Sequence, residues 1–340
     1  MEEHHILPRF ILNFQQAKMT EMRALIQQSA TSKTLTLTKT PRPTPASDEH
    51  LIQVKACSPC AGELLWPANF PPPNQRALIP CPDVAGIVIS APADSPFKPG
   101  DSVYARTNYI RPGNACDYAT APTDELARMP QGMSFVQAAA VPVSAQTAWQ
   151  LLLVQTFGEL NWEEAKKVWG GNRVLVTAAS GGVGMWVVQL ARLLGAEVIG
   201  TAGGNMGIVK ELGAEVLDYR TTNLREWAGQ EKVDVVVDCI GGKSLRDAWW
   251  TVKDGGVVVS IFQPPLMVKP EEFEGENVKD LFFVMQPVGQ QLEEITKLIE
   301  EGACRGMVDS VWPLEQYEEA FRRLDTGHAK GKIVFDLELN

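Results

Sequence analysis

The chain has 340 residues, 45% of them hydrophobic, and a formal net charge of −10. That length suggests about two domains with ordinary buried cores. The acidic balance argues against nucleic acid and anionic membrane surfaces as partners, since both need basic patches.

Residues 1–21 open with Glu2, Glu3, His4 and His5. A secretory signal wants a basic start and a clean apolar stretch, and mitochondrial presequences are poor in acids. The segment is therefore expected to be an N-terminal extension. From Met22 to about Pro142 the pattern is β-like and rich in proline. Strands are expected at Met22–Gln27, Leu35–Lys39, Leu51–Cys57, Val84–Ser90 and Ser102–Ala105. Turn signals separate them, as in Pro41–Pro45 and Lys98–Asp101. From Ala145 to about Met285, strand and helix alternate. Strands are expected at Arg173–Thr177, Glu197–Thr201, Glu215–Asp218, Val233–Cys239, Val257–Ile261 and Leu281–Met285. Apolar β-branched runs such as Val233–Val237, interrupted only by Asp234, suit strands covered on both faces by helices. Val183, Val187, Leu190, Ala191 and Leu194 recur at helical spacing. The expected fold is α/β, with a doubly wound parallel sheet. A helix over Leu292–Glu301 and a last strand, Ile333–Leu337, suggest that the C-terminus returns to the β-rich part.

Between Gln150 and Gly171 the connection is long, with Glu163 and Lys167 four apart as in a helix-stabilising pair. An inserted helical turn is expected there, shaping an entry, forming an oligomer contact or lying on the surface.

The strand ending at Val176 runs into Ala178-Ala179-Ser180-Gly181-Gly182-Val183-Gly184 and then into a helix. A helix N-terminus offers unpaired N–H groups and a positive dipole end to a pyrophosphate. Gly181 lets the backbone approach phosphates, and Gly184 lets helix and strand pack closely. The strand–turn–helix context points to a nicotinamide dinucleotide rather than to a turn that needs glycine only for packing. The next strand ends Thr201-Ala202-Gly203-Gly204-Asn205, with no acid between Val198 and Val209. NAD sites place a carboxylate there for the ribose hydroxyl. Its absence favours NADPH, although no Lys or Arg stands at the turn and Lys210 is the nearest base.

Taken together, these segments resemble a medium-chain dehydrogenase/reductase of the zinc-independent quinone-oxidoreductase (zeta-crystallin-like) branch. The resemblance rests on the glycine turn, Met22–Leu25, Lys98–Val103, Gln137–Pro142 with Thr147–Trp149, and Gly327–Lys332. It implies a GroES-like β-rich catalytic domain over 22–144 and 289–340, a Rossmann domain over 145–288, and an active site in the cleft between. It places Thr147 at the nicotinamide side and Tyr219 near the adenosine end. Cys239-Ile240-Gly241 and Phe283-Val284 would line the cofactor groove, and Lys332 would help hold phosphate. Thr201, Ala202, Gly203 and Asn205 join the turn residues as cofactor contacts. Tyr219 as a surface residue and Phe283 as a core residue are the plain alternatives.

Zinc-dependent relatives use a cysteine, a His-Glu pair and a further Cys or Asp. Cys60 falls at the first ligand position, but the histidine position is Pro82, and Ser134–Gln155 contains no Cys, His, Asp or Glu. A catalytic zinc needs three protein ligands, so none is expected. Cys60 is more simply a pocket-wall thiol. The six cysteines, at 57, 60, 81, 116, 239 and 304, make no disulfide framework for a chain of this size. A reduced, cytoplasmic setting is expected. No apolar run reaches the ~18–20 residues that span a bilayer.

Without a metal to polarise a carbonyl, the acceptor must already be electrophilic. The expectation is hydride transfer from NADPH to a quinone or an α,β-unsaturated carbonyl. Cys60, Trp66, Phe70 and Tyr109 are candidate pocket residues, with Tyr109 also a candidate proton donor or a rim tyrosine. Glu63 stands where relatives carry an acid. The alternatives are an enoyl reductase of a polyketide-type pathway and an NADPH-binding sensor without turnover. A homodimer is the family's usual assembly.

Overall fold

The computed structural model describes residues 21–72, 76–229 and 231–339. The expected extension, 1–21, lies outside them except for Glu21, which begins the first strand. Strands β1 (Glu21–Gln27) and β2 (Leu35–Pro41) pair antiparallel. Next come β3 (Glu49–Ser58), β4 (Asp83–Ser90), β5 (Ser102–Arg106), β6 (Tyr118–Pro122) and β7 (Leu126–Arg128). Neither β6 nor β7 was expected from the sequence. Their residues, Tyr-Ala-Thr-Ala-Pro and Leu-Ala-Arg, carry little β-branched character, so pairing with β3 and β5 decides their conformation. Leu25, Ile52, Val84, Val103 and Phe335 meet in the core of this part.

The second sheet holds β8 (Arg173–Val176), β9 (Glu197–Ala202), β10 (Glu215–Asp218), β11 (Val233–Asp238), β12 (Val252–Ser260) and β13 (Lys279–Phe282). All five pairings are parallel, in the order β10-β9-β8-β11-β12-β13. The order reverses between β8 and β11, the point where doubly wound sheets open a crevice at the carboxyl ends of their strands. The last strand starts and stops earlier than expected, so Phe283 and Val284 lie beyond it. The helix Gly182–Leu193 buries Val187, Leu190 and Ala191 against the sheet, as their spacing requires.

Strand β15 (Lys332–Asp336) pairs antiparallel with β3 and parallel with β14 (Val308–Trp312), bringing the C-terminus back to the first sheet. Strand β14 escaped sequence reasoning because Asp309 and Ser310 interrupt its apolar residues.

The long connection is packed rather than loose. Helix Pro142–Gln150 widens into a turn over Leu151–Gln155, where Thr156 N–H reaches the Leu151 carbonyl at 3.2 Å. Helix Trp162–Trp169 follows, with Asn161 and Glu164 forming a reciprocal cap. Trp169 is buried and donates to the Leu152 carbonyl at 2.9 Å, while Trp149 and Trp162 stack at 5.6 Å. The expected Glu163–Lys167 pair is replaced by Glu163–Lys166, at 3.0 Å.

Candidate active site

The turn after β8 is held from behind by β9. Ala179 N–H donates to the Thr201 carbonyl at 3.0 Å, and Ala178 N–H to the Thr201 hydroxyl at 3.3 Å. Ala178 adopts φ +49°, a left-handed conformation that costs an alanine energy and survives only where the surroundings enforce it. Helix Gly182–Leu193 begins at Gly181 with no side-chain cap and no acid in its first turn. Its first N–H groups face the crevice, and Ser180 to Val183 are partly exposed there. An uncapped helix N-terminus at the switch point, with small residues around it, fits a dinucleotide pyrophosphate.

A second device, missed in the sequence, ties the strand ends together. Asp238, at the end of β11, accepts from the Thr177 hydroxyl (2.7 Å), the Ser260 hydroxyl (2.8 Å) and Gly241 N–H (2.9 Å). Thr177 Oγ1 in turn accepts from Cys239 N–H at 3.0 Å. Hydrogen bonds to a buried carboxylate contribute about 1.5–3 kcal/mol each. The network fixes Cys239 to Gly241 beside the turn. The signal lay in one acid closing an all-valine run, Val235 to Val237.

Other expected cofactor residues fall around the same crevice. Tyr219 is 51% exposed and its ring covers Gly203, where an added Cβ would stand 2.9 Å from Cε1. Asn205 donates to the His328 carbonyl at 3.3 Å. Ile240 and Val284 are exposed, and Phe283 is partly buried against the core. Thr147 is buried, with its hydroxyl donating to the Val143 carbonyl within its own helix. Its proton is therefore not offered to the crevice.

Lys332 requires a correction. Its stem lies beside Gly182, and Gly331 bridges Gly181, so it does reach the turn. Its ammonium, however, is buried away from solvent and points into the β-rich part. It donates to the Pro59 carbonyl at 2.6 Å, contacts Cys60 Sγ at 3.5 Å, and stands 3.1 Å from Asp83 Oδ2. Holding phosphate would require it to leave all three. The Asp83 contact is ionic rather than a well-angled hydrogen bond, since Oδ2 lacks one. Asp83 Oδ1 accepts from Val143 N–H at 2.7 Å, anchoring the start of helix Pro142–Gln150. Burial works against the Lys332 charge, yet Cys60 and Asp83 raise its pKa above the usual lysine range. Burial raises Asp83 despite Lys332.

Beside this pair, Glu63 is buried and both its oxygens face Cys81 N–H, at 3.2 and 3.3 Å. Burial pushes its carboxyl up to about 8. A raised folded-state value means that the associated stability is present below the unfolded value of 4.5 and is lost as pH rises to about 8. Glu63→Gln should remove that loss. Chemical denaturation should find the variant gaining on wild type between pH 5 and 8, by at most about 5 kcal/mol. Parallel pH profiles would contradict the assignment.

Trp66, Phe70 and Tyr109 do come together. Trp66 and Tyr109 meet edge to face at 5.9 Å, and Arg76 lies over the Tyr109 ring. Trp66, Arg76 and Tyr109, with Glu63, Pro82 and Asn108, line a small cavity of about 40 Å³, which Phe70 does not reach. Tyr109 donates its hydroxyl proton to the Phe70 carbonyl at 2.9 Å. That geometry favours a rim tyrosine over a proton donor. Burial pushes the Cys60 thiol up to about 12, which suits a wall residue.

Zinc does not fit this site. Pro82 occupies one ligand position, and the Lys332 ammonium sits beside Cys60, where a second cation would be repelled. Among the described residues, no three His, Cys, Asp or Glu side chains are grouped to hold a metal. No helix there is long and apolar enough to cross a membrane.

A doubly wound sheet carrying an open glycine turn at its switch point, closed by a β-rich lobe, defines a nicotinamide-dependent oxidoreductase. Residues 212–335 match the family described as zinc-binding dehydrogenase. The probable zinc-binding oxidoreductase, mitochondrial, of Arthroderma benhamiae is 48% identical over 317 residues, covering 91% of this chain and 95% of that protein. The mitochondrial NAD(P)H oxidoreductase RTN4IP1 of Danio rerio is 30% identical over 282 residues, covering 75% and 71%. The solved quinone oxidoreductase of Coxiella burnetii superposes with a TM-score of 0.76 at 26% identity, covering 94% and 100%. The chain belongs to the medium-chain dehydrogenase/reductase superfamily, in its quinone-oxidoreductase-like branch. The expected cytoplasmic location is corrected by these comparisons. Relatives named mitochondrial or chloroplastic point to an organelle. Acids near the N-terminus and unpaired cysteines were poor guides, because neither separates the cytoplasm from other reducing compartments.

Proposed function

We propose that the chain transfers hydride from NADPH to a quinone or an α,β-unsaturated carbonyl without a catalytic metal. The observation that carries this reading is the bridge from Gly181 to Gly331, which sets the glycine turn against a thiol–lysine–aspartate cluster in place of a zinc site. When bound, the nicotinamide supplies the hydride. The helix N-terminus at Gly181–Val183 binds the pyrophosphate, and Thr201 and Asp238 keep the turn and its neighbour in register. Ile240 and Val284 line the cofactor groove, and Cys60 is a wall of the acceptor pocket. Water at the open cleft supplies the proton, since the Tyr109 hydroxyl is engaged elsewhere. On this reading 22–144 with 289–340 forms the catalytic unit and 145–288 the nucleotide unit, in a homodimer. NADPH oxidation across a panel of quinones and enones tests the proposal; binding of NADPH with no acceptor reduced would leave only a sensor.

NADPH rather than NADH is supported by a residue that sequence reasoning overlooked. Arg220 follows Tyr219, and its guanidinium forks onto Asp218 at 2.9 and 2.7 Å. Such a fork can exchange a carboxylate for a ribose phosphate. Arg220→Ala should weaken NADPH binding about tenfold, one phosphate contact's worth, and leave NADH unchanged. Fluorescence titration with both cofactors checks this, and equal losses would remove the preference.

A further inference from the structure

Strand β5 ends at Arg106, which pairs in register with Asp83 of β4. Arg106 is only 5% exposed, and its Nε is sealed from solvent without a hydrogen-bond partner among the described residues. The titratable groups that act on it are the Cys60 thiol and the carboxyls of Asp83 and Glu125. Each nearby acid is already engaged. Asp83 serves Lys332 and Val143 N–H. Glu125 serves Arg111 at 2.7 Å and Asn108 N–H at 3.0 Å. Glu63 faces Cys81 N–H, with a carboxyl that burial drives toward its neutral form.

Two buried cations, Arg106 and Lys332, thus stand near Asp83, and among the described residues only Lys332 contacts it, while Glu125 is held by Arg111. Buried charges are normally paired, and a guanidinium presents five donors in a planar fork that matches two oxygens at once. Cys60 belongs to the same cluster. It is partly exposed and touches Lys332, whose stem borders Gly182 of the cofactor turn. The Lys332–Asp83 pair, in register with Arg106, thus borders the cofactor turn, beside which the acceptor must lie to receive hydride.

We propose that Arg106 is a specificity-determining residue that binds a carboxylate carried by the acceptor. The preferred substrate class is an electrophilic enone or quinone with an acidic group close to the reducible bond. This rests on the reductase reading above and narrows it. A charge that developed only during reduction would leave the resting guanidinium without a hydrogen-bonded partner. An acid carried in with the substrate compensates it on binding.

The test compares trans-4-oxo-2-pentenoate with 3-penten-2-one, an acidic and a neutral enone, in wild type, Arg106→Gln and Arg106→Lys. The readout is the ratio of kcat/KM for the two acceptors. A site built to hydrogen-bond a substrate group discriminates strongly against analogues that lack it. R106Q should lower the acid-to-neutral ratio by at least about tenfold, with the neutral enone reduced within about threefold of wild type. R106K, which keeps charge but loses the fork, should fall between. A merely structural role would depress both acceptors equally. If R106Q does not fold, the ratio in R106K carries the same decision. An unchanged ratio overturns the proposal. If wild type reduces neither enone, the reductase reading fails separately. Calorimetric binding of the two compounds then still decides the anion site, with equal affinities in wild type and variant overturning it.

Discussion

Gly184→Ala should lose most cofactor affinity and a measurable part of the fold's stability. A Cβ at this position would lie 2.3 Å from the Ala178 carbonyl oxygen and 2.8 Å from Ala179 Cα. Both are backbone atoms, so no side chain can swing aside. The turn is already strained at Ala178 and is pinned by Thr201, which leaves it no slack. Either the helix moves off the strand or the turn unfolds, and each displaces the N–H groups meant for pyrophosphate. Overpacking of this kind costs about 1–3 kcal/mol. The expected outcome is a thermal transition below that of wild type and NADPH binding weakened by about a hundredfold, since a displacement of about 1 Å is enough for that loss. Titration and thermal unfolding check the two effects. A variant that melts lower but binds normally would mean that the turn is not the cofactor site.

Lys332→Met should be the most destabilising single change. It leaves the Asp83 carboxylate fully buried beside a methyl thioether. Removing one partner of a buried pair costs about 3–5 kcal/mol. The double variant Asp83→Asn, Lys332→Met removes both charges and should recover most of the loss, because a buried pair replaced as a unit is often close to neutral. Urea unfolding of the four proteins in this cycle measures the coupling. Additive losses would mean that the 3.1 Å contact contributes nothing.

The parts of this molecule that periodicity governs were legible in advance. Valine-rich runs marked strands β11 and β12, and the glycine turn between strand and helix was visible as a motif. Strands β6, β7 and β14 were not legible, because Ala119, Ala121, Ala127 and Asp309 carry no strand preference and take their form from neighbours far along the chain. The site divides the same way. The turn is local in sequence, so its strand–turn–helix form could be read directly. Asp83, Arg106 and Lys332 come from three different strands, β4, β5 and β15, and only the folded sheet makes them neighbours. Lys332 was assigned to phosphate by the family resemblance alone. The direction of its ammonium depends on Asp83 and Pro59, which no spacing rule connects to it. Arg220 was overlooked because the search for a base stopped at Lys210, after β9, while Arg220 stands after β10.

The account's central claim is direct hydride transfer at a site built without metal ligands. The most direct measurement uses NADPH deuterated at the transferable nicotinamide C4 position, an enone acceptor and mass spectrometry of the product, with and without a chelator. The account predicts deuterium on the reduced carbon in stoichiometric yield and the same rate after chelation. A product that takes its hydrogen from water, or a reaction that chelation abolishes and zinc restores, would contradict it.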